Sequence, residues 1–306
     1  MKRVIPAILA VAFIAVASPG SSQPAPEKAP ATPAPAQKPM FETTKVEGTD
    51  NVYIFRYANV QSMFVVTSAG VIATDPIGYA RPEASGVYVA EIKKVTNQPI
   101  RYLIYSHHHF DHIAGGKVFK DAGATIIAHQ RAKERLEVLK DPNTPLPDQT
   151  ISKTTNLQLG GTTLELHYLG LNHSDSTLVM RLPKERIIFT VDWIPVGSLP
   201  GRAMIDSYPL EWEDSLKKVL AMDWDRLIPG HPGAPGGRLG TKDDVKQMLA
   251  FLQESSAAIQ AAARQGKCWE PTEKEFAMPK YAEWPGYATA LPFVARRYCG
   301  LWGRGT

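Results

Sequence analysis

Residues 105–116 read "YSHHHFDHIAGG". Four histidines and an aspartate fall within six positions, between the apolar run "IRYLIYS" (100–106) and a Gly-Gly pair. Short His-rich tracts can hold metal without doing any chemistry, so the meaning of this stretch depends on what the rest of the chain adds. The apolar run reads as a buried strand, which puts the histidines at its end. A rigid sheet can hold side chains there, on a loop that tolerates polar groups.

Before this stretch, "NVYIFRYA" (51–58) and "SMFVVTSAGVIATD" (62–75) are rich in β-branched and aromatic residues and are interrupted at Ala69-Gly70, the pattern of strands joined by a hairpin turn. Residues 81–96 carry apolar residues at helical spacing after a proline. After it, a helix is expected over "HIAGGKVFKDAG" (112–123), a strand over "ATIIAH" (124–129) and an amphipathic helix over "QRAKERLEVLK" (130–140). From Ile151 to Phe189 the pattern is β again, with turns at Gly160-Gly161 and near Pro183-Lys184. Helices then read over 210–222 and 242–266, with the strand "WDRLIPG" (224–230) between them. The order describes two halves, each a sheet flanked by helices, an α/β chain with no internal repeat.

The N-terminus reads as a cleavable signal peptide over residues 1–17: Lys2 and Arg3 precede a short apolar run that ends in Ala15-Val16-Ala17. Residues 18–39 are nearly all Pro, Ala, Ser and Gln, a composition that buries no core and behaves as a stiff tether. A domain of 40–240 and a helical extension of 241–306 follow, so a periplasmic or secreted location is expected, with no membrane partner after cleavage. The formal charge of +4 falls to +2 once Lys2 and Arg3 leave, and no basic stripe stands out, which argues against nucleic acid. Cys268 and Cys299 stand far from the histidines, and an oxidising compartment favours a disulfide over two separate thiols.

Other polar residues stand at comparable turns. His173 lies in "GLNHSDS", His231 in "IPGHPG", and Asp192 directly follows the apolar "IIFTV". Of the 8 histidines, five (His107, His109, His112, His173 and His231) sit where apolar segments end, together with Asp111 and Asp192. Imidazole and carboxylate without thiol suit zinc, with iron or manganese as neighbouring choices. Two sets of three protein ligands leave each ion an open position, the mark of a catalytic site. His108 alternates between two candidate ligands and points away in an extended segment. His129 before a helix and His167 in "LELHYL" read as capping or packing groups.

The H-x-H-x-D-H run followed by single His, Asp and His residues resembles the metallo-β-lactamase superfamily, from about Val52 to Pro232. The resemblance implies a four-layer αβ/βα sandwich with two metals, zinc in the first instance, between its sheets. His107, His109 and His173 would hold the first ion, Asp111, His112 and His231 the second, with Asp192 bridging. Asp75 would brace the ligand loops. The implied chemistry is hydrolysis: the metals make a hydroxide available at neutral pH, and Asp111 orients it and shuttles its proton.

The broad-spectrum lactamases carry cysteine where this chain has Asp192 and a carboxylate-binding lysine where it has Pro195. The bridging aspartate looks more like glyoxalase II enzymes, lactonases and phosphodiesterases. The expected substrate is a small molecule with an ester, lactone or β-lactam-type carbonyl. A β-lactamase proper, a mononuclear-iron sulfur dioxygenase of the same fold and a zinc scaffold without turnover are the alternatives. Arg202 is a candidate anion contact, Tyr79 a candidate flat wall over the cleft, and Trp193 and Ile194 candidate wall residues, with core packing the commoner fate of a tryptophan. Substrate identity and oligomeric state have no signal in the chain.

Overall fold

The computed structural model describes residues 39–306, so the expected signal peptide and all of the tether except Pro39 lie outside the described residues. The first half runs β1 (Phe41–Lys45), β2 (Val52–Tyr57), β3 (Val60–Thr67), β4 (Gly70–Thr74), α1 (Ala84–Val95), β5 (Ile100–Ile104), α2 (Phe110–Ile113), α3 (Gly116–Asp121), β6 (Thr125–His129), α4 (Gln130–Leu139) and β7 (Gln149–Ile151). The second runs β8 (Thr155–Leu159), β9 (Thr162–Tyr168), β10 (Leu178–Leu182), β11 (Ile187–Val191), α5 (Pro209–Ala221), β12 (Arg226–Pro229), α6 (Lys242–Arg264), α7 (Glu270–Glu275) and α8 (Tyr287–Arg304).

The strands form a 7-stranded sheet in the order β1 to β7 and a 5-stranded sheet in the order β12-β11-β10-β9-β8. Side-chain alternation sorts each strand between two cores, because successive residues point to opposite faces. In the first sheet Met63, Val65, Ile72, Ile104 and Ile127 face the second sheet, where Leu164, Leu166, Met180, Phe189 and Ile228 meet them. The intervening Phe64, Val71, Ala73, Leu103 and Ile126 turn outward beneath Tyr88, Ile92, Phe119 and Leu136 of α1, α3 and α4. On the far side Val179, Ile188 and Leu227 lie beneath Trp212, Leu216, Met248, Phe251, Val294 and Tyr298 of α5, α6 and α8. The result is the four-layer αβ/βα sandwich. Helices from the expected extension supply part of its outermost layer.

Three details differ from the sequence reading. The helix expected over 112–123 is two short pieces, because Gly115 takes φ 92° and turns the chain between them. A Cβ at Gly115 would lie within 3.1 Å of the Ser85 side chain, so that turn is packed tightly against α1. The edge strand β1, mostly exposed, pairs antiparallel with β2. Trp193 and Ile194 are fully buried in the core beneath α5 and α6, so they are packing residues and not pocket wall. Cys268 and Cys299 are joined, with Cα atoms 5.4 Å apart, which ties the segment before α7 to α8.

A 3-10 turn at Gly201–Met204 leads into α5 and is covered by α8. Arg297 of α8 donates from Nε to the Ser207 carbonyl at 2.7 Å, and the Tyr208 amide donates to the Asn172 carbonyl at 2.7 Å. The segment from 201 to 208 is thus fixed between the last helix and the loop after β9.

Candidate metal centre

The seven sequence-predicted ligands come from loops that follow β5, β9, β11 and β12 and from the first turn of α2. The structure brings them into two neighbouring sets. His107, His109 and His173 form one, and Asp111, His112, Asp192 and His231 the other, with the potential ligand atoms of each set within 4.8 Å of one another. Asp192 belongs to both neighbourhoods: its Oδ1 lies 2.9 Å from His112 Nε2 and 3.2 Å from His231 Nε2, while its Oδ2 lies 3.8 Å from His173 Nε2.

Backbone shape aims these groups. Val191 takes φ 56°, costly for a β-branched residue, at a register irregularity between β11 and β12. That kink immediately precedes Asp192. Gly230 passes so close that a Cβ there would lie 2.7 Å from Val191 and 2.9 Å from the His112 ring. Only a residue without a side chain lets the loop after β12 approach His112.

Four of the five imidazoles have one nitrogen hydrogen-bonded outside the cluster and the other turned inward. His107 Nδ1 meets Ser106 Oγ at 2.8 Å, His173 Nδ1 the Ala203 carbonyl at 3.0 Å, and His231 Nδ1 the Asn59 carbonyl at 2.6 Å. His109 is held through Nε2 by the Asp206 carboxylate at 2.8 Å, which leaves Nδ1 facing His173 Nε2 at 3.0 Å. His112 Nδ1 lies 3.9 Å from buried Asp75, whose other oxygen accepts from the Ser106 amide at 2.8 Å. Outer partners of this kind fix ring orientation and tautomer around a metal. Asp75 therefore stands where a brace for the ligand loops is needed. Asp206 had no sequence signal: it lies 97 residues from His109, and only the turn at 201–204 brings it near.

The inward atoms suit cations. His107 Nε2, His112 Nε2 and Asp192 Oδ1 are buried without a hydrogen-bond partner. The 2.9 Å approach of the last two is close in distance but lacks hydrogen-bond alignment, as expected of two atoms aimed at a shared third point. Donors around one tetrahedral ion at about 2.0–2.1 Å stand roughly 3.3 Å apart, near the separations here. Charge follows the same division. Burial and its histidine neighbours push His107 well below its ordinary value, and burial and His109 push His173 to about 4. Both are therefore neutral with free lone pairs at pH 7. Burial alone would lower His112, but Asp192, Asp111 and Asp75 outweigh it and raise it to about 9. Positive charge is favoured at that point, and a metal would displace the proton.

The remaining histidines do other work. His129 caps α4 by accepting from the Arg131 amide at 3.2 Å and stacks on Tyr168 with centroids 4.1 Å apart. His167 meets Glu165 at 2.9 Å. His108 turns from the cluster to Ser176 at 3.0 Å and lies 3.6 Å from Asp175. A cleft of about 460 Å³ opens over the second set, and Tyr79, Arg81, Asp111, Pro195, Arg202 and His231 are among its walls.

Comparison with known proteins bears on the fold and the family. The model for the metallo-beta-lactamase superfamily matches residues 74–231. The 2,4-dinitroanisole O-demethylase subunit alpha of Nocardioides sp. (strain JS1661) is 24% identical over 202 residues, 63% of this chain and 58% of that protein. A metallo-beta-lactamase type 2 of Bacillus cereus is 29% identical over 150 residues, 48% of this chain and 57% of that protein. The chain thus spans less than two thirds of the length of either relative. Among solved structures, a metallo-beta-lactamase from Pontibacter korlensis superimposes with a TM-score of 0.61 at 20% identity, covering 70% of this chain and 99% of that one. Metallo-beta-lactamase IND-7 gives 0.60 at 20% identity, covering 71% and 100%. This likeness speaks to the fold, the family match covers just over half the chain, and the members of that family are metal-dependent hydrolases. The chain belongs to the metallo-beta-lactamase superfamily.

Proposed function

We propose that the protein is a dinuclear zinc hydrolase that opens an ester or lactone carbonyl outside the cytoplasm. The observation that carries this is Asp192, one carboxylate standing between two sets of inward-facing donors. When bound, the metals supply a water acidic enough to attack at neutral pH and polarise the carbonyl. His107, His109 and His173 would hold one ion, and Asp111, His112 and His231 the other, with Asp192 shared.

The chain's own groups divide the remaining work. Asp192 is enclosed, its side chain only 9% exposed, while Asp111 is 44% exposed toward the cleft and lies 3.8 Å from His112. Asp111 is therefore the carboxylate free to take the nucleophile's proton and pass it to the leaving group. Arg81 steadies that loop by donating to the Asp111 carbonyl at 3.0 Å. The expected signal peptide and the Cys268–Cys299 disulfide support an exported protein.

The lactamase relatives favour a second reading, hydrolysis of a β-lactam, in which Arg202 at the cleft would take the role that Pro195 cannot. A panel of chromogenic β-lactams, lactones, aryl and thioesters, phosphodiesters and 2,4-dinitroanisole separates these readings. Turnover is expected to be highest on lactones or esters, to vanish on chelation and to return with two equivalents of zinc. Turnover by metal-free protein, or inactivity on every carbonyl substrate with two zincs bound, would refute the hydrolase reading. A single bound iron would favour the dioxygenase chemistry.

A further inference from the structure

A second cavity, about 570 Å³, opens on the other side of the loop between β4 and α1. Tyr79 and Ala80 line both it and the metal cleft, so two spaces of small-molecule size adjoin at this loop. The loop is strained, with Ile77 at φ 51° and Ala80 at φ 54°. It is also pinned: the Ile77 amide donates to the His112 carbonyl and the Gly78 amide to the Ala114 carbonyl, each at 2.7 Å, and Ser85 Oγ donates to the Pro76 carbonyl at 2.8 Å. Strain held in place by such bonds is characteristic of functional segments. Here it presents Tyr79, 56% exposed, at the boundary of the two cavities.

The lining of the second cavity selects its ligand. Phe110, Pro82 and Val118 give it apolar walls, and Phe110 lies between His109 and Asp111 in the metal loop. Its one cation, Lys117, is paired with Asp121 at 2.7 Å, and Asp141 is engaged by Thr144. No unpaired cation faces an anion, and the net charge at the rim is negative. Phe110 and Tyr79 each offer a flat apolar face at its walls, which suits a neutral, flat, apolar group. We infer that this cavity is a subsite for the aryl group of an aryl ester whose carbonyl lies at the metals, with Tyr79 as a specificity residue. The inference rests on the hydrolase reading, in which water and the ester give a phenol and a carboxylic acid.

Binding and turnover test it separately, both on the zinc-loaded full chain. Naphthalene-2-carboxamide serves as the binding probe, followed by amide chemical shifts. Shifts are expected at Phe110, Lys117 and Val118, with affinity falling about tenfold in Val118→Trp and in Tyr79→Ala but kept in Tyr79→Phe. Val118 is already 37% exposed on α3, so a larger side chain there need not enter the core. In turnover, the ratio of kcat/KM for phenyl acetate to that for methyl acetate is expected to fall about tenfold in Tyr79→Ala, mainly through KM. Absence of binding, shifts confined to the metal cleft, or an unchanged ratio in active Tyr79→Ala would overturn the subsite. Probe binding at Phe110 and Val118 by a protein that hydrolyses no ester would sink the hydrolase reading while upholding the aryl site.

Discussion

Asp206→Ala should loosen the first metal without touching a ligand. In the native chain the Asp206 carboxylate accepts a hydrogen bond from His109 Nε2 at 2.8 Å, and this bond sets which nitrogen keeps its lone pair. Burial alone would raise the Asp206 carboxyl, but its hydrogen bond to His109 and the nearness of the His109 and His173 rings hold it down to about 2. It is therefore ionised at any practical assay pH. Without it, His109 has no acceptor fixing the ring, and the tautomer with the proton on Nδ1 becomes accessible, which turns a donor toward the metal. Outer partners of ligating histidines are worth about 10–100-fold in metal affinity, or roughly 1.4–2.7 kcal/mol. The lower part of that range applies, because the Asp206 side chain is half exposed and solvent screens its charge. Asp206→Asn keeps an acceptor and should lose less. Competition for zinc against a chromophoric chelator reads the affinity, and the melting temperature of metal-free protein reads the fold. Equal zinc affinity in Asp206→Ala and native protein would refute the reasoning, and so would a loss confined to the second ion.

Three further outcomes follow from other parts of the molecule. Asp111→Asn should lower turnover by about 10²–10⁴ while the first metal stays bound; near-normal kcat with both metals present would remove Asp111 from the proton path. Asp244, which closes the capping box of α6 and pairs with Arg238, should cost about 1–3 kcal/mol as Asn, read as a urea midpoint at pH 7. Burial would raise the Asp244 carboxyl, but Arg238 and Thr241 hold it below its usual value, so its contribution is complete above about pH 4 and lost as pH falls through the lower folded value. The difference between native and Asp244→Asn midpoints should therefore shrink on acidification, and a constant difference would contradict the assignment. Replacing Cys268 and Cys299 with serine opens a loop of sequence separation 31, worth about 3–4 kcal/mol by chain entropy; an unshifted midpoint would show that the bridge adds nothing.

What the sequence makes legible follows from how local each signal is. The strand "IRYLI" and the ligands after it are adjacent in the chain, so apolar pattern and residue type reveal them together. Asp206 is invisible because its role depends on a turn 97 residues from His109. Trp193 and Ile194 mislead for a related reason: they neighbour Asp192 in sequence, but the kink at Val191 sends them into the core. The edge strand "FETTK" offers one apolar side chain and little to bury, so it carries no periodic mark. Helix α8 falls within the expected helical extension, but Pro292 inside its early turns and the glycines near its end blur its bounds.

The bond from Arg297 to the Ser207 carbonyl has a consequence for the order in which the protein becomes competent. Chains are made from the N-terminus, so all seven candidate ligands have been synthesised before α8 exists. Until α8 is added, the segment that carries Ala203 and Asp206 lacks its support on that side, and the outer partners of His173 and His109 are held only from the loop after β9. A nascent or truncated chain therefore has every donor but not the frame that aims them. Tight loading of the proposed metals therefore waits until α8 has been made and packed.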